Sequence, residues 1–366
     1  MLVTAVSLLG VRNLAPLQLA PGERFNVFAG DNGQGKTNLL EAVYVLAALR
    51  SFRTSALAEV IGHGHERAMI KARVVRAELD RQYQVVIEPK GKTAIVDDKP
   101  VRPVARYFGG MNVVLFAPED LAVVRGSPAE RRRFFDRTVF GRRASYLATA
   151  QAFDKVLRSR NAVLRGLADG ERGGRELLDV YDQQLAPLAV AVRTARTELL
   201  AELGPRVAAV FAAITGGALA ATVEYQTAVA AEPEAVVAQL TADRTRDLAR
   251  RSTTTGPHRD DLVFRLDGHL AAGFASQGQT RALVLAWKVA ELELLHATHG
   301  DAPLLLLDDV SSELDDTRNE FLFAYLSKRP GQCFISTTDA RHVRVVGDRV
   351  DHTVAAGQVS RVISSG

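Results

Sequence analysis

The sequence predicts an α/β protein in which a mainly α-helical domain is inserted into a head of mixed β-sheets. Three observations predict this architecture. Residues 30–37 form a glycine-rich turn between a short apolar strand and a helix. A second apolar run, at 304–307, ends in two aspartates. Between them, residues from about 128 to 214 are rich in Ala, Leu and Arg with helical periodicity. We therefore expect the head at 1–120 and 252–366, and the helical insertion at 121–251.

The turn at residues 30–37, called the phosphate loop below, matches the pattern G-x-x-x-x-G-K-[ST] at every position. Such a turn points successive backbone N–H groups at a phosphate, and the following helix N-terminus adds partial positive charge. Lys36 would reach the terminal phosphates, and the Thr37 hydroxyl would bind Mg²⁺. The predicted nucleotide-binding residues here are Gly30, Asp31, Asn32, Gly33, Gln34, Gly35, Lys36, Thr37 and Asn38.

The run at 304–307 predicts a buried strand that delivers a carboxylate to Mg²⁺ at its C-terminal end. Asp308 is that carboxylate, and with Thr37 it forms the predicted metal site. Asp309 follows at once, where a second carboxylate would orient or deprotonate the attacking water. Apolar strands that end in Asp are common, but together with a phosphate loop upstream the pattern indicates phosphoryl transfer. Asp309 and Lys36 are therefore the predicted catalytic residues.

The sequence Ser276-Gln277-Gly278-Gln279, called the signature turn below, precedes a long helix that contains residues 282–295. A helix N-terminus with a Ser cap and a nearby Gly can present N–H groups to an anion. An ordinary capped helix explains the same residues. Both interpretations stay open at this point.

Seven arginines fall between residues 125 and 143, opposed only by Glu130 and Asp136. Ser127, Pro128 and Glu130 predict the start of a helix that carries most of them. One interpretation is a surface that follows the phosphates of DNA. The other is a solvated helix with internal ion pairs. The candidate DNA-binding residues are Arg131, Arg132, Arg133 and Arg137.

Composition restricts the class of protein more than the activity. The 366 residues are 47% hydrophobic and 24% charged, which is ordinary for a soluble globular protein. The net charge of +4 is compatible with a nucleic-acid partner but does not indicate one. The single cysteine excludes an intrachain disulfide. Residues 1–7 do not read as a signal peptide and no apolar run is long enough to span a bilayer, so we expect a cytoplasmic protein.

In their order along the chain, the phosphate loop, the signature turn and the Asp308-Asp309 strand end resemble the ATP-binding-cassette heads. Within them, three further stretches resemble the RecF family: residues 116–121, residues 126–133 and residues 255–262. The resemblance implies an ATP-dependent DNA-binding protein of recombinational repair and replication restart, with weak, DNA-stimulated ATPase activity. Such proteins act with RecO and RecR at gapped DNA, where duplex meets single strand, and help RecA assemble.

The resemblance also implies how ATP acts. Ser276 and Gly278 of one subunit would meet the γ-phosphate held by the other, with Gln279 among the ATP-binding residues. ATP would then clamp a homodimer on DNA, and slow hydrolysis would release it.

Two departures from the wider ATP-binding-cassette pattern, a shorter acid and a missing histidine, predict slow turnover, and the usual glutamine is missing as well. Asp309 stands where a glutamate is usual. Residues 336–339 read Ser-Thr-Thr-Asp, where many relatives carry a histidine. Glu119 is the nearest candidate for the glutamine usual after the strand at 112–117.

Two other classes of protein share parts of this sequence pattern. A transporter motor subunit would need a membrane partner, and the arginine-rich helical insertion and the missing histidine disfavour it. The head of an SMC-type protein would need a long heptad coiled coil, which an insertion broken by Gly and Pro does not provide.

Overall fold

The computed structural model describes residues 1–77, 79–102, 104–170, 173–345 and 347–362. The chain divides into two compact units, the first formed by Met1–Leu121 and Val284–Gly366 and the second by Ala122–Leu283. The second unit therefore continues past residue 251, where the sequence predicted the insertion to end. Residues 363–366 of the predicted C-terminal part lie outside the described residues.

A mostly parallel sheet of six strands carries the phosphate loop in the first unit. Its strands in spatial order are β15 (Gln358–Arg361), β14 (Arg349–Ala355), β3 (Phe25–Ala29), β13 (Cys333–Thr337), β12 (Leu304–Asp308) and β8 (Val113–Phe116). Only β15 pairs antiparallel. Strands β12 and β13 are buried along their whole length, which explains the apolar runs at 304–307 and 333–335. Because parallel strands end at one edge, β3, β12 and β13 bring their C-terminal residues together there.

A second sheet of the first unit is antiparallel. Its strands in spatial order are β2 (Leu17–Leu19), β1 (Leu2–Leu9), β4 (Ala68–Arg76), β5 (Leu79–Glu88), β6 (Gly91–Val96) and β7 (Lys99–Pro100). Buried and partly exposed residues alternate along β4 and β5, as expected for a sheet with one face in the core.

Helix α1 (Lys36–Ala48) runs from the phosphate loop into the core of the first unit. Eleven of its thirteen residues are buried, and the nine apolar ones form one cluster with side chains of both sheets. A helix whose residues from its second turn onward are almost all apolar belongs in an interior. This burial fixes the start of α1, and with it the end of the phosphate loop.

Three other helices lie within the first unit: α2 (Pro118–Leu121), α10 (Val310–Glu313) and α11 (Asp316–Ser327). Single 3-10 turns occupy Leu57–Val60, Val104–Tyr107 and Ala340–His342. The division between the two units falls within α9 (Gln277–His299). Across the described ranges, no helix has the length and apolarity that crossing a membrane requires.

The second unit is mainly helical, as predicted. Its other helices are α3 (Pro128–Arg142), α4 (Tyr146–Ala168), α5 (Gly174–Thr215), α6 (Pro233–Ala242), α7 (Arg244–Arg250) and α8 (Ala271–Phe274). The predicted start of α3 is confirmed. Glu130 N donates to Ser127 Oγ over 3.3 Å and Ser127 N donates to Glu130 Oε2 over 2.6 Å, which together form a capping box.

The sequence Gly204-Pro205 favours a break in a helix, but α5 continues to Thr215 with Pro187 and Pro205 inside it. Each proline removes a helical hydrogen bond. Leu199, Leu203 and Val207 around the second proline are nevertheless fully buried. Burial of that apolar face outweighs the local preference of Gly and Pro to end a helix.

A small antiparallel sheet completes the second unit, in the spatial order β11 (His269–Leu270), β10 (Asp261–Leu266) and β9 (Ala221–Gln226). The sequence placed residues 261–266 back in the head, and the structure corrects this. All six residues of β10 pair with β9, from Asp261 opposite Gln226 to Leu266 opposite Ala221. Alternating apolar and polar residues predict a half-buried strand, but they do not predict which strand it pairs with.

A buried ion cluster joins the helices of the second unit. Arg160 is fully buried, and its guanidinium donates to Asp182 Oδ1 over 2.6 Å, Asp247 Oδ2 over 2.7 Å and Thr253 Oγ1 over 2.8 Å. Arg244 Nη2 donates to the second oxygen of Asp182 over 2.6 Å. Charges buried this deeply are tolerated only when they are paired and hydrogen-bonded.

Candidate functional site

The phosphate loop connects β3 to α1 in a conformation that depends on glycine. Gly33 and Gly35 have φ angles of 79° and 114°, which L-residues with side chains rarely adopt. A Cβ on Gly30 would lie 2.1 Å from Val354 O, so the strand beside the loop also excludes a side chain. Gly35 is the N-cap of α1, and no side chain caps the helix there. The first turn of α1 is therefore suited to an anion.

Lys36 is the only cationic side chain of the phosphate loop, and it is almost completely buried. Its Nζ donates to Gly30 O over 2.6 Å and to Asp31 O over 2.8 Å. Burial lowers the pKa of Lys36, and the nearby carboxylates of Asp309, Asp308 and Asp31 partly oppose this effect. The loop thus holds a desolvated ammonium group that a phosphate would stabilise.

Thr37 and Asp308 meet, as the sequence predicted, although 271 positions separate them. Thr37 Oγ1 donates to Asp308 Oδ1 over 2.9 Å, and Ser336 Oγ donates to the same oxygen over 2.7 Å. Burial raises the pKa of Asp308; the two hydroxyl donors lower it, and the charges of Glu119 and Asp309 raise it further. A desolvated carboxylate beside a hydroxyl is a donor set suited to a divalent cation with oxygen ligands.

Ser336 is a site residue that the sequence analysis did not assign. It lies opposite Asp308 in the parallel pairing of β12 and β13. Its hydroxyl also accepts from Asp309 N over 3.0 Å, and its carbonyl accepts from the same N–H over 3.2 Å. Ser336 therefore fixes the backbone where β12 ends and both aspartates begin. Its position in the sheet is a signal that local sequence does not contain.

Asp309, the predicted water-activating residue, has a left-handed backbone with φ 49° and starts α10. Asp tolerates this conformation better than most residues. Its carboxylate is the strongest of the charges that raise the pKa of Lys36. The structure thus places both predicted catalytic residues within electrostatic reach of each other.

A polar cleft of about 760 Å³ opens beside the phosphate loop, lined by Arg12, Asn13, Asn38, Arg53, His63 and other residues. A chain of hydrogen bonds crosses it. Arg53 Nη1 donates to Asn38 Oδ1 over 2.7 Å, and Asn38 Nδ2 donates to Asn13 Oδ1 over 2.7 Å. Asn13 Nδ2 then donates to Gly33 O over 3.1 Å. Of the residues that line the cleft, the sequence predicted Asn38 alone.

Glu41 pairs with the two arginines that line this cleft. The residue is fully buried in α1, and Arg12 donates to its two oxygens over 3.0 and 2.9 Å. Arg53 Nη1 lies 3.7 Å from Glu41 Oε2. Gln34, a predicted phosphate-loop residue, is held separately, because its side-chain oxygen accepts from Ala356 N over 2.6 Å. The exposed residues of the loop are Asp31, Asn32 and Gly33.

The signature turn belongs to the second unit, where it begins α9. Ser276 N donates to Gln279 Oε1 over 2.7 Å, and Gln279 N donates to Ser276 Oγ over 3.2 Å. This is a capping box with Gln as the returning side chain. Arg125 Nη2 donates to Ala275 O just before the turn. The ordinary cap is thus present, and the predicted roles of Ser276, Gly278 and Gln279 toward ATP stay predictions.

The four candidate DNA-binding arginines lie on α3 with different surroundings. Arg131 donates to both oxygens of Asp261 over 2.7 Å, and Arg132 donates to Asp260 O over 2.8 Å. Arg137 lies over the Phe134 ring at 5.6 Å. Arg133 is exposed. Internal pairing explains Arg131 and Arg132, so DNA contact on α3 stays a prediction in which Arg133 is the most accessible residue.

Comparison with known proteins identifies the family. The family described as RecF/RecN/SMC N terminal domain matches residues 2–361. A DNA replication and repair protein RecF from Anaeromyxobacter sp. (strain Fw109-5) is 42% identical over 96% of this chain and 97% of its own. One from Geobacter sp. (strain M21) is 42% identical over 93% of this chain and 94% of its own. The chain belongs to the RecF family.

Solved RecF structures agree. The structure of the recombination mediator protein RecF-ATPrS in the RecFOR pathway has a TM-score of 0.90 at 28% identity, covering 99% of this chain and 98% of its own. The corresponding RecF-ATP structure has a TM-score of 0.89 at 29% identity over the same shares. An SMC head bound to the C-winged helix domain of ScpA shares the fold alone, with a TM-score of 0.58 at 13% identity. The predicted α/β head with an extensive helical part, and the resemblance to RecF, are confirmed.

Proposed function

We propose that this chain is an ATP-dependent DNA-binding protein of recombinational repair and replication restart, with weak, DNA-stimulated ATPase activity. The observation that carries the proposal is the 2.9 Å hydrogen bond between Thr37 and Asp308, which unites the phosphate loop with the carboxylate of β12. A glycine-rich turn occurs in many folds, and so does a strand that ends in Asp. A hydrogen bond between the Thr that follows such a turn and the Asp that ends such a strand is typical of a nucleoside triphosphatase. The solved RecF relatives bound to ATP and ATPrS support ATP as the nucleotide.

The residues of the site suit distinct parts of ATP. The N-terminal turn of α1 and Lys36 would hold the β- and γ-phosphates. Thr37 and Asp308 fit Mg²⁺, because a hydroxyl and a desolvated carboxylate converge there and Mg²⁺ prefers oxygen ligands. When bound, Mg²⁺ neutralises charge on the phosphate oxygens. The cleft at Arg12 and Arg53 adjoins the loop and suits the rest of the nucleotide.

Hydrolysis requires a group that orients the attacking water. Asp309 would serve as that group, because it follows Asp308 and its charge already acts on Lys36. Aspartate is one methylene shorter than the glutamate usual at this position, and residues 336–339 supply no histidine. We therefore expect slow hydrolysis, which suits a protein that stays in its ATP-bound conformation until hydrolysis ends it.

We further propose that ATP closes a homodimer on DNA. The signature turn of one copy would approach the γ-phosphate held by the other, and a symmetric dimer would make this contact twice. Hydrolysis would weaken both contacts and release DNA. We also propose that the chain acts at gapped DNA in a pathway with RecO, RecR and RecA; family membership and the RecFOR setting of the relatives support this part of the proposal.

DNA binding measured with ATP, a non-hydrolysable analogue and ADP tests the function on gapped, duplex and single-stranded substrates. We expect binding with ATP or the analogue, strongest on gapped DNA, and loss of the ATP effect in Lys36→Met. Equal DNA affinity with ATP and ADP would contradict the proposal, as would an ATP effect that survives in Lys36→Met.

A further inference from the structure

A second cleft of the first unit lies at the end of the antiparallel sheet, around the turn from β4 to β5; we call it the sheet-end cleft. Its volume is about 410 Å³, within the range of sites that bind small molecules or peptide side chains. No residue lines both this cleft and the one beside the phosphate loop. Among the described residues that line it are three arginines, no acidic residue and a set of otherwise mostly apolar side chains.

The apolar surface of the sheet-end cleft is mainly aliphatic. Leu79 is 61% exposed, which is more than any other large apolar side chain in the described ranges. Val96 and Val101 are only partly buried. Tyr83 and Tyr107 meet edge to face with ring centroids 5.5 Å apart, and each is at most 5% exposed. The cleft therefore offers a ligand aliphatic surface but no open face of an aromatic ring.

Two of the three arginines of the sheet-end cleft keep unused hydrogen-bond donors. The fold uses Arg76, whose guanidinium donates to Asp301 Oδ2 over 2.5 Å. The Arg81 side chain is 49% exposed, and Asp97 Oδ2 lies 4.0 Å from its guanidinium, too far for a hydrogen bond. Arg106 is exposed, and it pairs with no carboxylate in the part of the chain that the structure describes. A free guanidinium can bind a carboxylate through two parallel hydrogen bonds.

This lining suits a ligand that joins an apolar group to a carboxylate. Nucleic acid does not fit, because phosphates bring no apolar side chain and unstacked bases need an exposed ring on which to stack. An acidic peptide does fit, because one apolar side chain can enter the cavity while neighbouring carboxylates meet the arginines. Burial raises the pKa of Tyr83, so its hydroxyl stays protonated and can donate to a peptide carbonyl.

We propose that the sheet-end cleft binds an acidic peptide segment of a partner protein, with an apolar side chain in the cavity and carboxylates on Arg81 and Arg106. This inference goes beyond the ATP-dependent DNA binding proposed above. The cleft and the nucleotide site share no lining residue, so peptide binding does not require an intact phosphate loop.

Fluorescence anisotropy with a panel of labelled hexapeptides tests the proposal. The peptides place Leu, Ile, Phe or Trp beside two aspartates, at the C-terminus or inside the peptide. Each has two counterparts, one with asparagine in place of aspartate and one with serine in place of the apolar residue. We expect wild type to bind at least one acidic apolar peptide, and to bind its two counterparts at least about tenfold more weakly. Binding of no peptide, or equal binding of the asparagine counterparts, would overturn the proposal.

Substitutions in the cleft locate the binding. Arg81→Glu, Arg106→Glu and Leu79→Ser should each weaken binding of that peptide at least about tenfold. Lys90→Glu is the matched charge control, because Lys90 is exposed in the same sheet and does not line the cleft. Leu177→Ser is the apolar control, because Leu177 is 49% exposed on α5. We expect both controls to stay within about twofold of wild type, and equal weakening by them would contradict the assignment.

A labelling experiment does not depend on the stability of these variants. Cys333, the only cysteine, is buried, and burial raises the pKa of its thiol, so an added cysteine would be the reactive one. The peptide should slow maleimide labelling of Leu79→Cys in proportion to the fraction bound, and should leave labelling of Leu177→Cys unchanged. Equal labelling of Leu79→Cys with and without the peptide would place the peptide elsewhere and overturn the proposal.

Two further arms separate this inference from the proposed function. We expect Lys36→Met to bind the peptide as wild type does, so a failure of the ATP site would leave the cleft unaffected. We expect neither single-stranded nor duplex oligonucleotides to displace the peptide. Displacement by either would assign the cleft to nucleic acid and overturn the proposal of a protein partner.

Discussion

Replacing Lys36 by Met separates the role of this side chain in ATP binding from its role in the fold. The side chain is nearly buried, and its ammonium group has two carbonyl acceptors, Gly30 O and Asp31 O. Removing those hydrogen bonds costs about 1 kcal/mol each. Methionine, however, has a similar length and no charge to desolvate. Because burial lowers the pKa of Lys36, the fold disfavours its charged form, and the substitution removes that unfavourable contribution.

The two effects on the fold oppose each other, so we expect the free energy of unfolding to change by about 1 kcal/mol or less. ATP binding has no such compensation. Lys36 is the only cation in the loop, and a charge-assisted hydrogen bond to a phosphate contributes about 1.5–3 kcal/mol. The loss of one such bond near the upper end raises the dissociation constant for ATP by roughly a hundredfold.

Titration with a fluorescent ATP analogue and urea unfolding measure the two quantities on the same preparation. Lys90→Met is the control, because Lys90 is exposed in a turn of the antiparallel sheet, and we expect it to leave both quantities unchanged. A folded Lys36→Met protein that binds ATP within a factor of three of wild type would refute the assignment of the phosphate site. A variant that is unfolded without denaturant would refute the energetic argument instead.

Three other substitutions test separate parts of the structure. Asp309→Asn should keep ATP affinity, because Thr37 and Asp308 remain, but should abolish most hydrolysis; an undiminished phosphate-release rate would remove Asp309 from catalysis. Arg160→Met leaves two buried carboxylates without their common cation, so it should lower the free energy of unfolding by about 3–5 kcal/mol in a urea titration. In the same titration, Arg158→Met, at an exposed position, should change the free energy of unfolding by less than about 0.5 kcal/mol. Burial lowers the pKa of His258 from 6.5 to about 4, so between these pH values the unfolded chain binds more protons and stability falls as the pH falls. His258→Gln should remove up to about 3 kcal/mol of this acid loss, and unfolding curves of both proteins at pH 4 and pH 7 that show the same loss would contradict the cause.

The parts of the site that could be predicted are those whose chemistry is written into a short stretch of chain. The phosphate loop needs Gly at fixed positions and Lys and Thr at its end, and this requirement is visible without a structure. The cap of α3 is equally local, because Ser127 and Glu130 are three positions apart. Asp308 was predicted because it directly follows an apolar run of strand length.

The rest depends on contacts between distant positions. Ser336 acts on Asp308 only because β12 and β13 are neighbours in register. The sequence around Glu41 is typical of an ordinary helix, and only the fold brings Arg12 and Arg53 beside it. Helix α5 passes Pro205 because its apolar face is buried, and local propensity does not include that contribution. In each case a long-range contact decides the outcome.

The capping box of the signature turn has a consequence for how firmly an ATP-closed dimer would hold. Ser276 Oγ and the Gln279 side chain each already serve one backbone N–H within the turn. A γ-phosphate from a second copy would compete with this cap, whose loss costs about 1 kcal/mol. Part of the energy of the phosphate contact would therefore offset the loss of an internal bond. A phosphate contact with a small net free energy holds the dimer only while the γ-phosphate is present. A turn with no internal cap would gain more free energy from the same contact and would favour closure more strongly. The cap thus favours a reversible switch, and it leaves the affinity of the dimer to surfaces beside the nucleotide.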